Sequence, residues 1–238
     1  MKTILIDLDG TLLHMDQDKF IKTYFGEVAK KFSKDFDSEL ILQGLIAGTK
    51  AMYKNDGTLT NEDIFWKVFK EITNYSKEDT IDLFEDFYLN EFENARVATS
   101  YTPYAKKLID VLKDKGYEII VATNPLFPKI ATQKRLEWAG LDLNDFKEFT
   151  TYENYHYTKP NPLYFKEILD KFNLKAENCI MIGNDIDEDL AAKEIGLEAI
   201  VVTDNLINRS NKDIEAKFVG TIEELVEYFK NNDIKNTF

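Results

Sequence analysis

Residues 3–11, Thr3-Ile4-Leu5-Ile6-Asp7-Leu8-Asp9-Gly10-Thr11, decide how the rest of the chain is read. Thr3 to Asp7 is a short apolar run closed by an acidic residue and then by Gly10, the pattern of a buried strand. Residues two apart on a strand face the same way, so Asp7 and Asp9 point into one place. In open parallel sheets ligands bind at the carboxyl ends of the strands, which is where this pair lies.

Outward from that strand the pattern first becomes helical. Phe20, Tyr24, Phe25, Val28 and Phe32 fall three or four apart, as do Ile64, Phe65, Val68, Phe69 and Ile72, and then Ile81, Phe84, Phe87 and Tyr88. These stripes are expected to be buried helix faces, with Asn55-Asp56-Gly57 as a turn between them. The expected all-helical block covers 16–96. After Pro103 strands and helices alternate. Helices are expected at Tyr104–Lys115, Lys129–Ala139, Leu163–Phe172, Asp187–Ile195 and Ile222–Lys230. Strands are expected at Glu118–Thr123, near Glu148–Thr151, at Cys179–Gly183 and at Ala199–Thr203. Strands alternating with helices imply an α/β fold, a Rossmann-like parallel sheet covered on both faces. The helical block is thus inserted between the first strand and the rest, dividing the chain into a core of 1–15 and 97–238 and an insert of 16–96.

Composition narrows the chemistry. The 238 residues carry a net charge of −13, a surface that repels nucleic acid and anionic membranes, so neither is an expected partner. No apolar run approaches bilayer length and no secretory h-region follows Met1, so a cytoplasmic protein is expected. Cys179 is the single cysteine and sits in an apolar run, as a core residue does; with only His14 and His156 beside it, a Cys/His zinc site is excluded.

An ionised carboxylate at Asp7 can attack phosphorus, and a second carboxyl at Asp9, its pKa raised by a neighbouring charge, can protonate the leaving group. Three plainer readings stand beside this one. The acidic strand end is a turn, a structural metal site, or the start of an EF-hand loop; the last fails on register, because Leu12 and Asp18 occupy the positions that need Gly and Glu. Gly183-Asn184-Asp185-Ile186-Asp187-Glu188-Asp189 is a second acidic cluster past a strand. Leu190 and Gly196 exclude the EF-hand reading there as well. Asp187 is expected to cap the following helix, with Glu188 complementing its dipole. Asp185, nearest the strand end, is the expected metal ligand, and hard oxygen donors at two strand ends suit Mg²⁺. Thr123-Asn124 offers a hydroxyl and N–H groups to phosphate oxygens. Lys159 precedes Asn161, an N-cap, and Pro162 at N1 of the next helix, a favourable place to hold an anion.

These four pieces, in this order and context, resemble the haloacid dehalogenase superfamily. Its Asp-x-Asp-x-Thr motif is Asp7-Leu8-Asp9-Gly10-Thr11, its second-strand hydroxyl is Thr123, its lysine is Lys159, and its acidic motif is Gly183-Asn184-Asp185 with Asp189. The resemblance covers essentially the whole chain, and the helical block resembles a C1-type cap. It implies a phosphatase acting on a small-molecule phosphate ester. Asp7 would be the nucleophile and Asp9 the acid and base, with Mg²⁺ on the Asp7 carboxylate, the Asp9 carbonyl and Asp185. Thr123 and Lys159 would stabilise the phosphoryl group, Thr11 and Asn124 would assist its binding, and Asp189 would orient Lys159 or a metal-bound water. Asn184 stands where the motif often has Asp, leaving Asn184, Asp185 and Asp189 as alternatives at the metal. Dehalogenases lack the second carboxylate of the first motif, so Asp9 favours phosphoryl transfer. A phosphotransferase or mutase on the same scaffold, and a non-enzymatic binding module, are the competing readings. Lys50, Tyr53 and Lys54 are candidate substrate contacts from the insert.

Overall fold

A computed structural model describes residues 2–232. Strands β1 (Thr3–Ile6), β4 (Glu118–Val121), β5 (Glu148–Phe149), β6 (Cys179–Gly183), β7 (Glu198–Val202) and β8 (Phe218–Gly220) form one six-stranded sheet, ordered β5-β4-β1-β6-β7-β8. All its pairings are parallel, with β1 central between β4 and β6. The apolar run at 3–6 is what a central strand of such a sheet requires, since both its faces are covered. Ile4 and Ile6 pack on the side of helices α5 (Pro103–Asp114) and α9 (Ile222–Asn231). Leu5 packs on the opposite side with Tyr164, Phe165 and Ile168 of α7 (Pro162–Phe172). Helix α6 (Lys129–Trp138) follows β4. The expected α/β architecture with an inserted helical segment is therefore present.

The insert leaves and rejoins the core through a two-stranded antiparallel ribbon, in which β2 (His14–Met15) pairs with β3 (Thr99–Ser100). Between them lie α1 (Gln17–Phe32), α2 (Ser38–Tyr53), α3 (Asn61–Thr73) and α4 (Lys77–Leu89), then a 3₁₀ stretch, Glu91–Ala98. Asp16, Asp37 and Thr60 cap α1, α2 and α3 with their side chains, which sets where each helix begins. The stripe Phe20, Tyr24, Val28 and Phe32 is the buried face of α1. In α3 the buried face is Phe65, Trp66, Phe69 and Thr73, so Ile72, expected inside, is 41% exposed. The face is turned because α3 packs on α2 through Gly44 and Gly48. A Cβ at either glycine would overlap Phe69 or Phe65, so only glycine permits that approach.

Insert and sheet share one hydrophobic cluster, in which Phe92 stacks on Trp138 of α6 at 5.1 Å. Asn61, fully buried at the start of α3, donates through its main-chain N–H to the Tyr155 carbonyl at 2.8 Å and through its amide to Pro125 at 3.3 Å. It ties the insert to the loops after β4 and β5.

Three expectations in the second half need correction. The helix expected at Asp187–Ile195 is a short turn, α8 (Ile186–Asp189), running into a 3₁₀ segment, Leu190–Ile195. Its cap is Asp185, whose carboxylate accepts from the N–H groups of Asp187 and Glu188 at 3.0 and 3.1 Å; Asp187 is the second helical residue and binds Ser210 instead. Strand β8 was not foreseen. It joins the sheet edge because Phe218 and Gly220 register against Ile200 and Val202. No helix among the described residues is long and apolar enough to cross a membrane.

Candidate active site

The site forms where β1, β4 and β6 end. Asp7 continues β1, its N–H donating to the Ile182 carbonyl at 2.8 Å, so the sheet ladder fixes its backbone. Its Oδ1 accepts from Lys159 Nζ at 2.8 Å and its Oδ2 from the Thr11 hydroxyl at 3.2 Å. Gly10, at φ 92°, turns the chain so that Thr11 comes back over Asp7. Lys159 is buried, and its ammonium also donates to Asp189 Oδ1 at 2.6 Å. Burial alone would push its pKa down. The charges of Asp189 and Asp7 outweigh that and hold it well above the ordinary lysine value. Asp189 is held in turn by the Asp185 N–H at 2.9 Å. Burial pushes the Asp189 carboxyl upward, against the pull of Lys159.

Asp9 faces the same cavity but has a different neighbour. Its Oδ2 pairs with Nη1 of Arg135, a buried residue of α6 that the sequence reading missed. Arg135 is itself fixed by bonds to Thr132 Oγ1 at 3.1 Å and the Ala131 carbonyl at 3.3 Å, with its guanidinium 4.7 Å above the Phe127 ring. Burial raises the pKa of Asp9 and the Asp7 charge adds to it, while Arg135, Lys159 and the Thr123 hydroxyl oppose the rise. A carboxyl so placed retains a proton more readily than a free aspartate. One signal for Arg135 was available: with Ala131 and Trp138 it falls on the buried face of α6, a charge on an apolar stripe.

The remaining expected residues are gathered here as well. Thr123 is buried at the end of β4, and its carbonyl is held by the Tyr164 hydroxyl at 2.8 Å. Asn124 works mainly as a brace. Its Oδ1 accepts from the Lys159 N–H at 3.2 Å, and its amide donates to Glu188 Oε2 at 3.1 Å and reaches Tyr53 of α2 at 3.5 Å. Asn184 accepts from Thr11 at 2.8 Å and donates to the Asn205 carbonyl at 2.8 Å, so both ends of its side chain are committed to loop structure. Asp185 Oδ2 pairs with Arg209 at 2.6 Å, and Arg209 extends on to Gln17 of α1 at 3.4 Å. Glu188, beside Asp185 and Asp189, is pushed up to about 7, chiefly by burial. Lys50 and Tyr53 line the cavity, whereas Lys54 is not among its lining residues.

The donors facing the cavity include Asp7, Asp9, Asp185, Glu188 and Asp189, with Arg135 and Arg209 as cations. Neither Cys179 nor a histidine is among them, so the set is all oxygen and suits a hard cation. Among the described residues no three or more His, Cys, Asp or Glu side chains converge as a ready cage. An ion held by one or two carboxylates, which takes its other ligands from water and substrate as Mg²⁺ does, needs no such cage.

Comparison with known proteins identifies the family. The profile for haloacid dehalogenase-like hydrolases matches residues 1–196. The chain belongs to the haloacid dehalogenase-like hydrolase family. Within it, the chain is 26% identical to glyceraldehyde 3-phosphate phosphatase from Methanocaldococcus jannaschii, over 97% of this chain and 98% of that one. It is 26% identical to phosphoglycolate phosphatase from Colwellia psychrerythraea, over 85% and 84% of the two. Among solved structures, the hydrolase YfnB from Bacillus subtilis, bound to magnesium, superposes with a TM-score of 0.55. It is 20% identical and covers 96% of this chain and 98% of its own. That likeness establishes the shared fold.

Proposed function

We propose that this hydrolase is a phosphatase that cleaves a phosphorylated metabolite, with Asp7 as nucleophile and Asp9 as acid and base. The observation that carries the reading is the buried Asp7–Lys159 pair at 2.8 Å, opening on a cavity that a second, protonation-prone carboxyl also faces. An Asp7 oxygen forms a bond to phosphorus as the ester P–O bond breaks, and Asp9 gives its proton to the departing oxygen. Water then attacks phosphorus, Asp9 takes its proton, and the bond to Asp7 breaks to return the free carboxylate and inorganic phosphate. Lys159 and Thr123 stabilise the phosphoryl oxygens, Thr11 and Asn124 steady the strand ends around them, and Asp189 keeps Lys159 in place. The Asp7 carboxylate, the Asp9 carbonyl and Asp185 would hold Mg²⁺, which supplies charge neutralisation at the phosphate when bound. Residues 16–96 act as the cap over a core formed by 2–15 and 97–232; the ends of the expected core, residue 1 and residues 233–238, lie outside the described residues. The names of the two relatives support a small phosphate ester as substrate.

The test is inorganic phosphate release from an aryl phosphate, with Mg²⁺ and after chelation. Chelation is expected to abolish turnover, and Asp7→Asn to lower kcat by roughly 10⁴-fold or more. Turnover that survives Asp7→Asn refutes the mechanism. A phosphoenzyme that accumulates and discharges to a sugar hydroxyl rather than to water would make the chain a phosphotransferase.

A further inference from the structure

The cavity that begins at Asp7 and Asp9 does not end at the reacting atoms. It measures about 860 Å³ and runs between the strand ends and the helical insert. That lies toward the upper end of the roughly 300–1,000 Å³ that enclose drug-sized ligands. A two- or three-carbon alcohol would leave most of it filled with water.

Its wall is apolar where the insert contributes. Ile21 of α1, Ile46 and Tyr53 of α2 and Leu89 of α4 all line it and are 50%, 41%, 46% and 58% exposed. Large apolar side chains left open to water on one concave surface mark a binding region. Charge away from the strand ends balances: Lys50, Lys77 and Lys129 stand against Glu62, Glu85 and Glu153, and Lys77 is already paired with Glu62 at 2.7 Å. A second phosphate or a carboxylate on the substrate would therefore find no concentrated positive charge there. The cationic and hydrogen-bonding groups cluster at the strand ends, where one phosphate is expected.

We infer that the substrate is a phosphate monoester whose alcohol portion is a bulky, uncharged, largely apolar body, seated against Ile21, Ile46, Tyr53 and Leu89. This rests on the phosphatase reading for the position of the phosphate. It departs from the two- and three-carbon compounds in the relatives' names. The occupant follows from continuity, because whatever is esterified to a phosphate at Asp7 must extend into this space.

The test uses primary-alcohol esters, whose leaving groups are matched in basicity, so that differences report binding. Ethyl phosphate, 2-phosphoglycolate and 2-(2-naphthyl)ethyl phosphate are compared by phosphate release. The naphthylethyl ester is expected to have a KM at least tenfold below that of ethyl phosphate. Ile46→Glu and Leu89→Glu are each expected to lower the naphthylethyl-to-ethyl ratio of kcat/KM at least tenfold, with folding checked by thermal melting. Calorimetry with the two non-hydrolysable phosphonates, naphthylethyl and ethyl, repeats the comparison without chemistry, and the same tenfold preference is expected. Turnover of all three esters with no preference for the large one overturns this inference and leaves the phosphatase reading intact. Preferential binding of the naphthylethyl phosphonate without turnover of any ester supports the cavity assignment and refutes the phosphatase reading.

Discussion

The two ends of the cavity are built by opposite rules. At the strand ends polar side chains are tied to one another: Lys159 bridges Asp7 and Asp189, Arg135 grips Asp9, and Asn184 holds Thr11. At the insert the wall consists of Ile21, Ile46, Tyr53 and Leu89, apolar groups left facing water. The first end is fixed before substrate arrives, as electrostatic stabilisation of a reacting phosphoryl group requires. The second end gains its favourable contacts only when something covers it. On the proposed reading chemistry and selectivity fall to different parts of the chain, and substitutions at the two ends are expected to fail differently.

The largest effect is expected at the tied end. Lys159→Met leaves Asp7 and Asp189 buried beside each other without their cation. Removing one partner of a buried pair costs about 3–5 kcal/mol, so Tm should fall sharply, and kcat should fall by roughly 10²-fold or more. Thermal melts and phosphate release measure the two; an unchanged Tm would mean that the network is not structural.

A smaller, more particular effect is expected for Arg135→Met. The guanidinium lowers the pKa of Asp9, so its loss raises that pKa further. The protonated acid then persists to higher pH, and the alkaline limb of the kcat/KM profile moves upward. Loss of positioning is expected to reduce kcat by about 10–100-fold, less than the roughly 10²–10⁴-fold that a general acid contributes, because Asp9 itself remains. Arg135→Lys should restore part of the rate and move the limb back. A limb that stays fixed would remove Asp9 from that ionisation.

The smallest effect separates the wall from mere surface. Ile72 has the same 41% exposure as Ile46 but does not line the cavity. Ile72→Glu is expected to change stability by no more than about 0.5 kcal/mol and to leave the preference among esters unaltered. Melting curves and the ratio of kcat/KM values check this. A shift equal to that of Ile46→Glu would show that charge anywhere on the insert, rather than contact, governs selection.

The same division explains what could be read from the sequence. Asp7, Asp9, Thr123, Lys159 and Asp185 were found because each follows or flanks a local pattern: an apolar strand, a Gly turn, or an Asn-Pro helix start. Their meeting is dictated by the parallel sheet, which brings strand ends to one edge. Arg135 was missed because its partner is 126 residues away, and its place on the buried face of α6 marks it as unusual without saying what it pairs with. Helix α2 gave no stripe of its own. Leu40, Ile41, Leu42, Leu45 and Ile46 surround it, and Gly44 and Gly48 replace side chains where α3 approaches. Its role as a cavity wall therefore depends on tertiary packing. Asp185 lines the cavity, and it is the cap that was expected two residues later, at Asp187. In an acidic run every position is a plausible cap, and only backbone geometry chooses between them.

The ribbon at His14–Met15 and Thr99–Ser100 has an evolutionary consequence. Because the helical segment departs and returns through neighbouring residues, it can be lengthened or trimmed without reordering the strands, provided that Asn61 and Phe92 keep their contacts with the core. Mutation can explore new appetites in that excursion while the proposed reaction, set at the ends of β1, β4 and β6, is retained.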